Sequence, residues 1–252
     1  MLRAFGITDK GRVRSTNEDC FGIDHELQLC IVADGMGGHN AGEVASRLAV
    51  ETVLDYVAAH TETAVWPFGY DPAISAQANL LRTAVQVANA RVFEAAVGSS
   101  AWAGMGTTIV AMLARGSALT VVHVGDSRAY AVVEGRAEPL TNDDSWAATL
   151  LARDPTLDPA VLKTHPMRNA LTSVIGSKPQ VDVHVSERML GAEALFVLTT
   201  DGVHGVLAET GLTRACAETS DLVDLAGRLV QTALDEGSRD NCTAVVIRFH
   251  PD

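Results

Sequence analysis

Ile31-Val32-Ala33-Asp34-Gly35-Met36-Gly37-Gly38-His39 is the stretch on which the fold turns, a buried-type apolar run that ends in a carboxylate and a glycine-rich turn. It reads as a strand delivering an acid to a site. An aspartate at the end of a rigid strand is held more firmly than one on a loop, and the glycine after it frees the backbone carbonyl to approach a cation. Asn40 followed by Glu43 has the form of a helix N-cap and its reciprocal partner, which predicts a helix from about residue 41. The same design recurs far away. Leu195 to Leu198 lead through two threonines into Asp201-Gly202, Val121-Val122-His123-Val124 runs into Gly125-Asp126, and Asp240 stands just before the apolar run 243–247. Four aspartates at four strand ends predict one shared cluster.

Working outward, the 252 residues suffice for one sizeable domain or two small ones, and no linker, internal repeat or low-complexity tract divides them, so one domain over residues 1–252 is expected. The first ten residues lack the continuous apolar core of a signal peptide, and no run approaches the roughly 18 apolar residues of a membrane span. A cytoplasmic location is therefore expected. A net charge of −12 argues against nucleic acid or an anionic membrane as the main partner. Cys20, Cys30, Cys216 and Cys242 are scattered, so neither a zinc knuckle nor a disulfide framework is indicated.

Strands are predicted at residues 2–8, 20–24 and 28–33, then helices at 41–59 and, from the Asp71-Pro72 start signal, to about residue 97. Strands at 107–114, 118–124, 128–133 and 137–140 read as a β-meander. A helix at 143–153, a proline-punctuated excursion at 154–166, strands at 181–185 and 194–200, a helix at 221–236 and a closing strand at 242–249 complete the pattern. Strands in runs with helices in pairs argue for antiparallel sheets covered by helices over an alternating βαβ fold.

Several constellations fail. Asn40 and Ile109 occupy the last position of the two incomplete G-x-G-x-x-G patterns, and no Gly-Lys-Ser follows a strand. Cys242 and Arg248 have thiol-phosphatase spacing, but six extended steps of about 3.3 Å put them too far apart for one phosphate to touch both. His123 inside Val-Val-His-Val reads as a packed strand histidine. The aspartate cluster holds. Carboxylates with a backbone carbonyl and no His or Cys suit Mg²⁺ or Mn²⁺ over Zn²⁺.

The chain resembles the metal-dependent protein serine/threonine phosphatases of the 2C type in their compact bacterial form. The resemblance is carried, in order, by Gly11-Arg12-Val13-Arg14 with Asn17-Glu18-Asp19, by Asp34-Gly35-Met36-Gly37-Gly38-His39, by Gly106-Thr107-Thr108, by Val124-Gly125-Asp126-Ser127-Arg128-Ala129-Tyr130, by Asn169-Ala170-Leu171-Thr172, by Thr200-Asp201-Gly202 and by Asp240-Asn241. It implies an α+β fold, a β-sandwich of two antiparallel sheets flanked by helix pairs, with a variable flap at about residues 151–170. It further implies two Mn²⁺ or Mg²⁺ ions, with Asp34 bridging them, Asp201 and Asp240 completing the first site, and Asp19 with the Gly35 carbonyl facing the second beside Glu18. Asp126 with Asp201 matches a weaker third metal position, and Arg14 matches a phosphate-binding arginine whose alternative is a surface ion pair with Glu18. The implied reaction is hydrolysis of phosphoserine and phosphothreonine in proteins by a metal-bridging water, opposing a serine/threonine kinase, by a monomer.

Two departures stand out. Met36 occupies the position where eukaryotic relatives have a histidine, which leaves His39 or a metal-bound water as proton donor. Asp143-Asp144-Ser145 stands where the family commonly has Asp-His-Ser. A catalytically silent phosphoprotein binder and a hydrolase of small phosphorylated metabolites are the competing readings.

Overall fold

The computed structural model describes residues 1–38, 41–63, 65–154, 156–162 and 165–251. In chain order the elements are β1 (Leu2–Asp9), β2 (Asp19–Asp24), β3 (Leu29–Met36), α1 (Ala41–His60), α2 (Ala76–Gly98), β4 (Gly106–Thr107), β5 (Ile109–Arg115), β6 (Ala118–Val124) and β7 (Arg128–Val133). There follow β8 (Arg136–Pro139), α3 (Trp146–Arg153), α4 (Pro159–Leu162), β9 (His184–Met189), β10 (Ala194–Thr199), α5 (Asp201–Glu218), α6 (Leu222–Asp235) and β11 (Cys242–Phe249). One antiparallel sheet has the order β1-β11-β10-β7-β8 and the other β2-β3-β5-β6-β9, with the short β4 on β3.

The period of two along each strand sorts side chains into layers. Cys30 and Val32 of β3, Phe196 and Leu198 of β10, and Val245, Ile247 and Phe249 of β11 face one another between the sheets. Leu29, Ile31 and Ala33 point the other way, onto Ala45, Ala49, Val53, Leu81 and Val85 of the α1/α2 pair. Val197, Ala244 and Val246 pack under Leu225, Leu229 and Val230 of α6 together with α5. The order helix pair, sheet, sheet, helix pair is the expected sandwich. Each fully buried Leu, Val or Phe contributes on the order of 1.5–3 kcal/mol. Extending the inner-face register to the strand ends replaces these apolar residues by Asp34 on β3, Asp19 on β2, Thr200 after β10 and Thr243 on β11. Polar chemistry therefore sits at one end of the sandwich as the continuation of its core.

Several expectations are corrected. Residues 107–140 are no single meander: β5 and β6 pair in one sheet while β7 and β8 pair in the other, the chain crossing between sheets at Gly125, whose φ of +96° turns it there. Apolar alternation reports burial and says nothing of which sheet a strand joins. Helix α2 begins at Ala76, not after Pro72, because Asp71 Oδ1 accepts from Ala73 N, the Asn79 side chain bonds the Asp71 backbone, and Ser75 caps Ala78 N at 3.1 Å. Strand β9 begins at His184, since Val181 and Val183 pack on the α1/α2 core before any ladder starts. The excursion at 154–166 contains the short α4, and α3 starts at Trp146 behind its cap Ser145.

Helix α5 was not expected at all. It contains Gly202, Gly205 and Gly211, and it is broken at Ala208, whose φ of 49° and ψ of −176° interrupt the helical path. Its apolar spacing is correspondingly irregular.

Candidate metal centre

At the end of β3 the strand continues through Asp34 and Gly35 to Met36, three residues beyond its predicted end at residue 33. Asp34 is opposite Asp19 in the β2/β3 register, which brings two carboxylates to one face of the ladder. The backbone of Asp34 is fastened from every side. Its N–H donates to Thr108 Oγ1 at 3.0 Å, and its carbonyl accepts from Thr107 Oγ1 and Thr108 N, each at 2.9 Å. Thr108 Oγ1 in turn meets Ser127 Oγ at 2.7 Å, which couples this corner to the β6–β7 turn. Gly35 is obligatory here: a Cβ would lie 2.1 Å from the Gly42 carbonyl oxygen, where α1 starts, and 2.6 Å from that of Glu18.

Asp19 is buried directly beneath. Thr200 and Thr243 donate their hydroxyls to its Oδ2 at 2.8 and 2.6 Å, while Oδ1 is buried with no partner among the described residues. Asp201 Oδ1, at the first turn of α5, is likewise buried and unpartnered. Orphaned carboxylate oxygens of this kind cost free energy unless something positive satisfies them.

A cavity of about 260 Å³ opens above, lined by Arg14, Glu18, Asp34, Gly35, Asp126, Asp201, Asp240, Asn241 and, from the segment after α4, Asn169 and Leu171. The electrostatics are those of crowded anions. Burial first, then neighbouring carboxylates, push Asp19 and Asp126 up to about 7. The same causes hold Asp34 well above the usual carboxylate range and raise Asp201, and burial raises Glu18. Among the described residues no three His, Cys, Asp or Glu side chains close into a ready-made ligand cage as they stand. The donor set nonetheless fits a hard cation. It is all oxygen, two of its oxygens lack partners, and its like charges need a counter-charge.

The structure thus brings Arg14, Glu18, Asp34, Gly35, Asp126, Asp201 and Asp240 to one cavity, while Asp19, opposite Asp34 in the ladder, is buried behind its lining. His39 and Asn40 lie outside the described residues. Arg14 pairs with Asp240, Nη2 to Oδ2 at 2.6 Å, not with Glu18 as the alternative had it. Residue types alone could not choose among three nearby carboxylates; the close approach of Gly11, where a Cβ would sit 2.3 Å from the Asp240 carbonyl oxygen, decides it by laying the loop on that segment.

Sequence reasoning gave Asn241 no role of its own, yet it organises the Arg14 loop. Its Nδ2 donates to the carbonyls of Lys10 and Thr16, and its Oδ1 accepts from Glu18 N at 2.8 Å. The signal was its place directly after Asp240, since an amide side chain is the one that can both donate and accept there. Asp144 was flagged as a departure, and it has a definite job. Its Oδ2 accepts from Gly125 N at 2.9 Å, its Oδ1 meets His184 Nε2 at 2.8 Å, and His184 stacks on His123 with ring centroids 4.7 Å apart. His123 is buried, as expected for a packed strand residue, and burial lowers its pKa.

A family model described as Protein phosphatase 2C matches residues 11–240. The serine/threonine protein phosphatase PstP of Mycobacterium tuberculosis is 31% identical over 246 residues, 98% of this chain and 45% of that protein, so the chain spans about half the length of that relative. The serine/threonine phosphatase stp of Listeria monocytogenes is 31% identical over 245 residues, 95% of this chain and 93% of that protein. The crystal structure of the PstP catalytic domain in complex with two manganese ions superposes with a TM-score of 0.79 at 30% identity, covering 98% of this chain and 97% of that one. No helix among the described residues is long and apolar enough to cross a membrane. Matched along nearly its whole length, and folded as these phosphatases fold, the chain belongs to the protein phosphatase 2C family.

Proposed function

We propose that the protein is a metal-dependent phosphatase that hydrolyses phosphoserine and phosphothreonine in phosphorylated proteins, acting as a monomer in the cytoplasm against a serine/threonine kinase. One observation carries the reading: an arginine and five carboxylates converge at the end of a family sandwich, a sixth, Asp19, lies opposite Asp34 in the β2/β3 ladder, and one oxygen each of Asp19 and Asp201 has no partner among the described residues.

Asp34, Asp201 and Asp240 would hold one Mn²⁺ or Mg²⁺ ion, and Asp34, the Gly35 carbonyl, Asp19 and Glu18 a second. Asp126 with Asp201 would hold a weaker third. Ions bound there would lower the pKa of water and neutralise phosphoryl charge. The chain's own residues do the rest. Arg14 presents a planar fork to two phosphate oxygens at once. To do so it must leave Asp240, whose carboxylate is then free for a cation, so the two events favour each other. Thr200 and Thr243 hold Asp19 by one oxygen and leave the other without a partner among the described residues. Thr107 and Thr108 keep Asp34 from swinging with its load.

The test is phosphate release from a phosphothreonine peptide by metal-stripped protein titrated with Mn²⁺, beside Asp201→Asn. Metal-dependent turnover that disappears in the variant is expected. Turnover retained in Asp201→Asn, or none in a folded, Mn²⁺-binding wild type, would overturn the reading.

A further inference from the structure

The metal cavity is too small for a peptide, so a phosphoprotein must lay its chain somewhere outside it. A second depression, of about 500 Å³, shares Arg14, Asp201 and Asp240 with the cavity and continues from it between the Arg14 loop and the start of α5. Its floor is backbone: Gly202 packs so closely that a Cβ would sit 1.9 Å from the Asn241 carbonyl oxygen, while Gly205 and Gly237 have open space where a side chain would be. A polypeptide can therefore lie close on it. Val13, 57% exposed, and Val206 form its apolar walls, and the Arg12–Asp235 ion pair holds the Val13 loop in place. At the rim stands Arg239, exposed and without a hydrogen bond or ion pair among the described residues. On a protein of net charge −12, whose neighbouring Arg12 and Arg14 are both paired with aspartates, a cation left free beside the site is set apart.

Resting on the function proposed above, we infer that this depression is the subsite for substrate residues flanking the phosphorylated one, and that Arg239 selects an acidic side chain there. The occupant is an extended phosphopeptide segment. Its continuity with the phosphate cavity fixes where the segment starts, and the lone cation fixes its charge.

The experiment compares kcat/KM for phosphothreonine peptides carrying Asp or Lys at each position within three residues of the phosphate, taken as the Asp-to-Lys ratio within each protein so that overall activity cancels. Wild type is expected to favour Asp at one or two positions by about two- to fivefold, as exposed charge pairs allow. Arg239→Gln should bring the ratio towards one through KM, Arg239→Glu should invert it, and raising ionic strength should flatten it in wild type and in Arg239→Glu while leaving Arg239→Gln as it was. A ratio unchanged in both variants, with the peptides still turned over, would overturn the subsite. If wild type hydrolyses neither the peptides nor a small aryl phosphate, the phosphatase reading itself has failed.

Discussion

Two corners of the metal centre are built in different ways. At the β2/β3 corner Asp19 and Asp34 sit on paired strands, with Asp34 fastened by backbone and threonine bonds and Gly35 wedged against the α1 backbone. At the β6–β7 corner Asp126 stands in a turn between the two sheets, held through Gly125 by Asp144, which itself leans on the half-exposed His184. The first corner is a product of the fold. The second hangs on a short relay of side chains. The core ion positions proposed above should therefore tolerate little, and the one proposed at Asp126 should be adjustable.

The largest expected effect tests the side of the cavity that both corners share. Asp201→Asn is nearly isosteric and removes one of the crowded negative charges, so folding should survive, with a metal-free melting temperature at or above wild type. Turnover should fall by about a thousandfold or more, on the order of the loss when a principal electrostatic stabiliser is removed. Steady-state kinetics with saturating Mn²⁺ beside a thermal melt separates the two effects.

Gly35→Ala attacks the rigid corner directly. Its Cβ would meet backbone on two sides, so neither side chain nor rotamer can relieve it. A loss of about 3 kcal/mol or more is expected. Urea unfolding of the metal-free proteins measures it, and a midpoint within error of wild type would show that the corner can shift.

The sequence made one corner more legible than the other for the same reason. A strand that ends in Asp-Gly announces a carboxylate on rigid backbone, and period-two parity carries Asp34 and Asp19 to the inner face. Nothing local announces that β6 and β7 belong to different sheets, because both are apolar alternations. The one hint was Gly125, which only the left-handed φ of a sheet-crossing turn requires. Helix α5 hid behind its three glycines and the break at Ala208. The Arg14–Asp240 pair depends on loop geometry that no residue pattern encodes, and the service of Asn241 had only its place after Asp240 as a signal.

Titration probes both corners together. Asp19 in the first and Asp126 in the second are raised from 3.8 to about 7, burial being the main cause. A carboxyl raised on folding stabilises the folded state fully below its unfolded pKa and loses that contribution as pH climbs through the folded value. The metal-free protein should thus be more stable at pH 5 than at pH 8, by roughly 1.4 kcal/mol per carboxyl for each pH unit between 5 and 7, about 5 kcal/mol for the two together. Mn²⁺ binds the ionised form, so it should erase the trend and release protons on binding. Melts in chelator and in Mn²⁺ across that range check the sign. Asp19→Asn and Asp126→Asn then apportion it between the corners.

Asp144→Ala and His184→Ala sharpen the comparison at the adjustable corner. Removing the Asp144 carboxylate leaves Gly125 N without its acceptor, a cost of about 1–2 kcal/mol. Removing His184 takes away one partly exposed bond and a ring stack, and less than about 1 kcal/mol is expected. Both should weaken the third Mn²⁺ position proposed at Asp126, read by calorimetric titration, while the two proposed core positions stay as they were. The difference between the variants carries the information. If His184→Ala loosens the weak site as much as Asp144→Ala does, the carboxylate depends on its histidine for orientation and the two act as one unit. If only Asp144→Ala does so, the Gly125 bond alone positions Asp126, and His184 is a cover over it. Loss of the tight sites in either variant would mean that the two corners are one, joined through Ser127 and Thr108, and that the rigid corner borrows its rigidity from the turn.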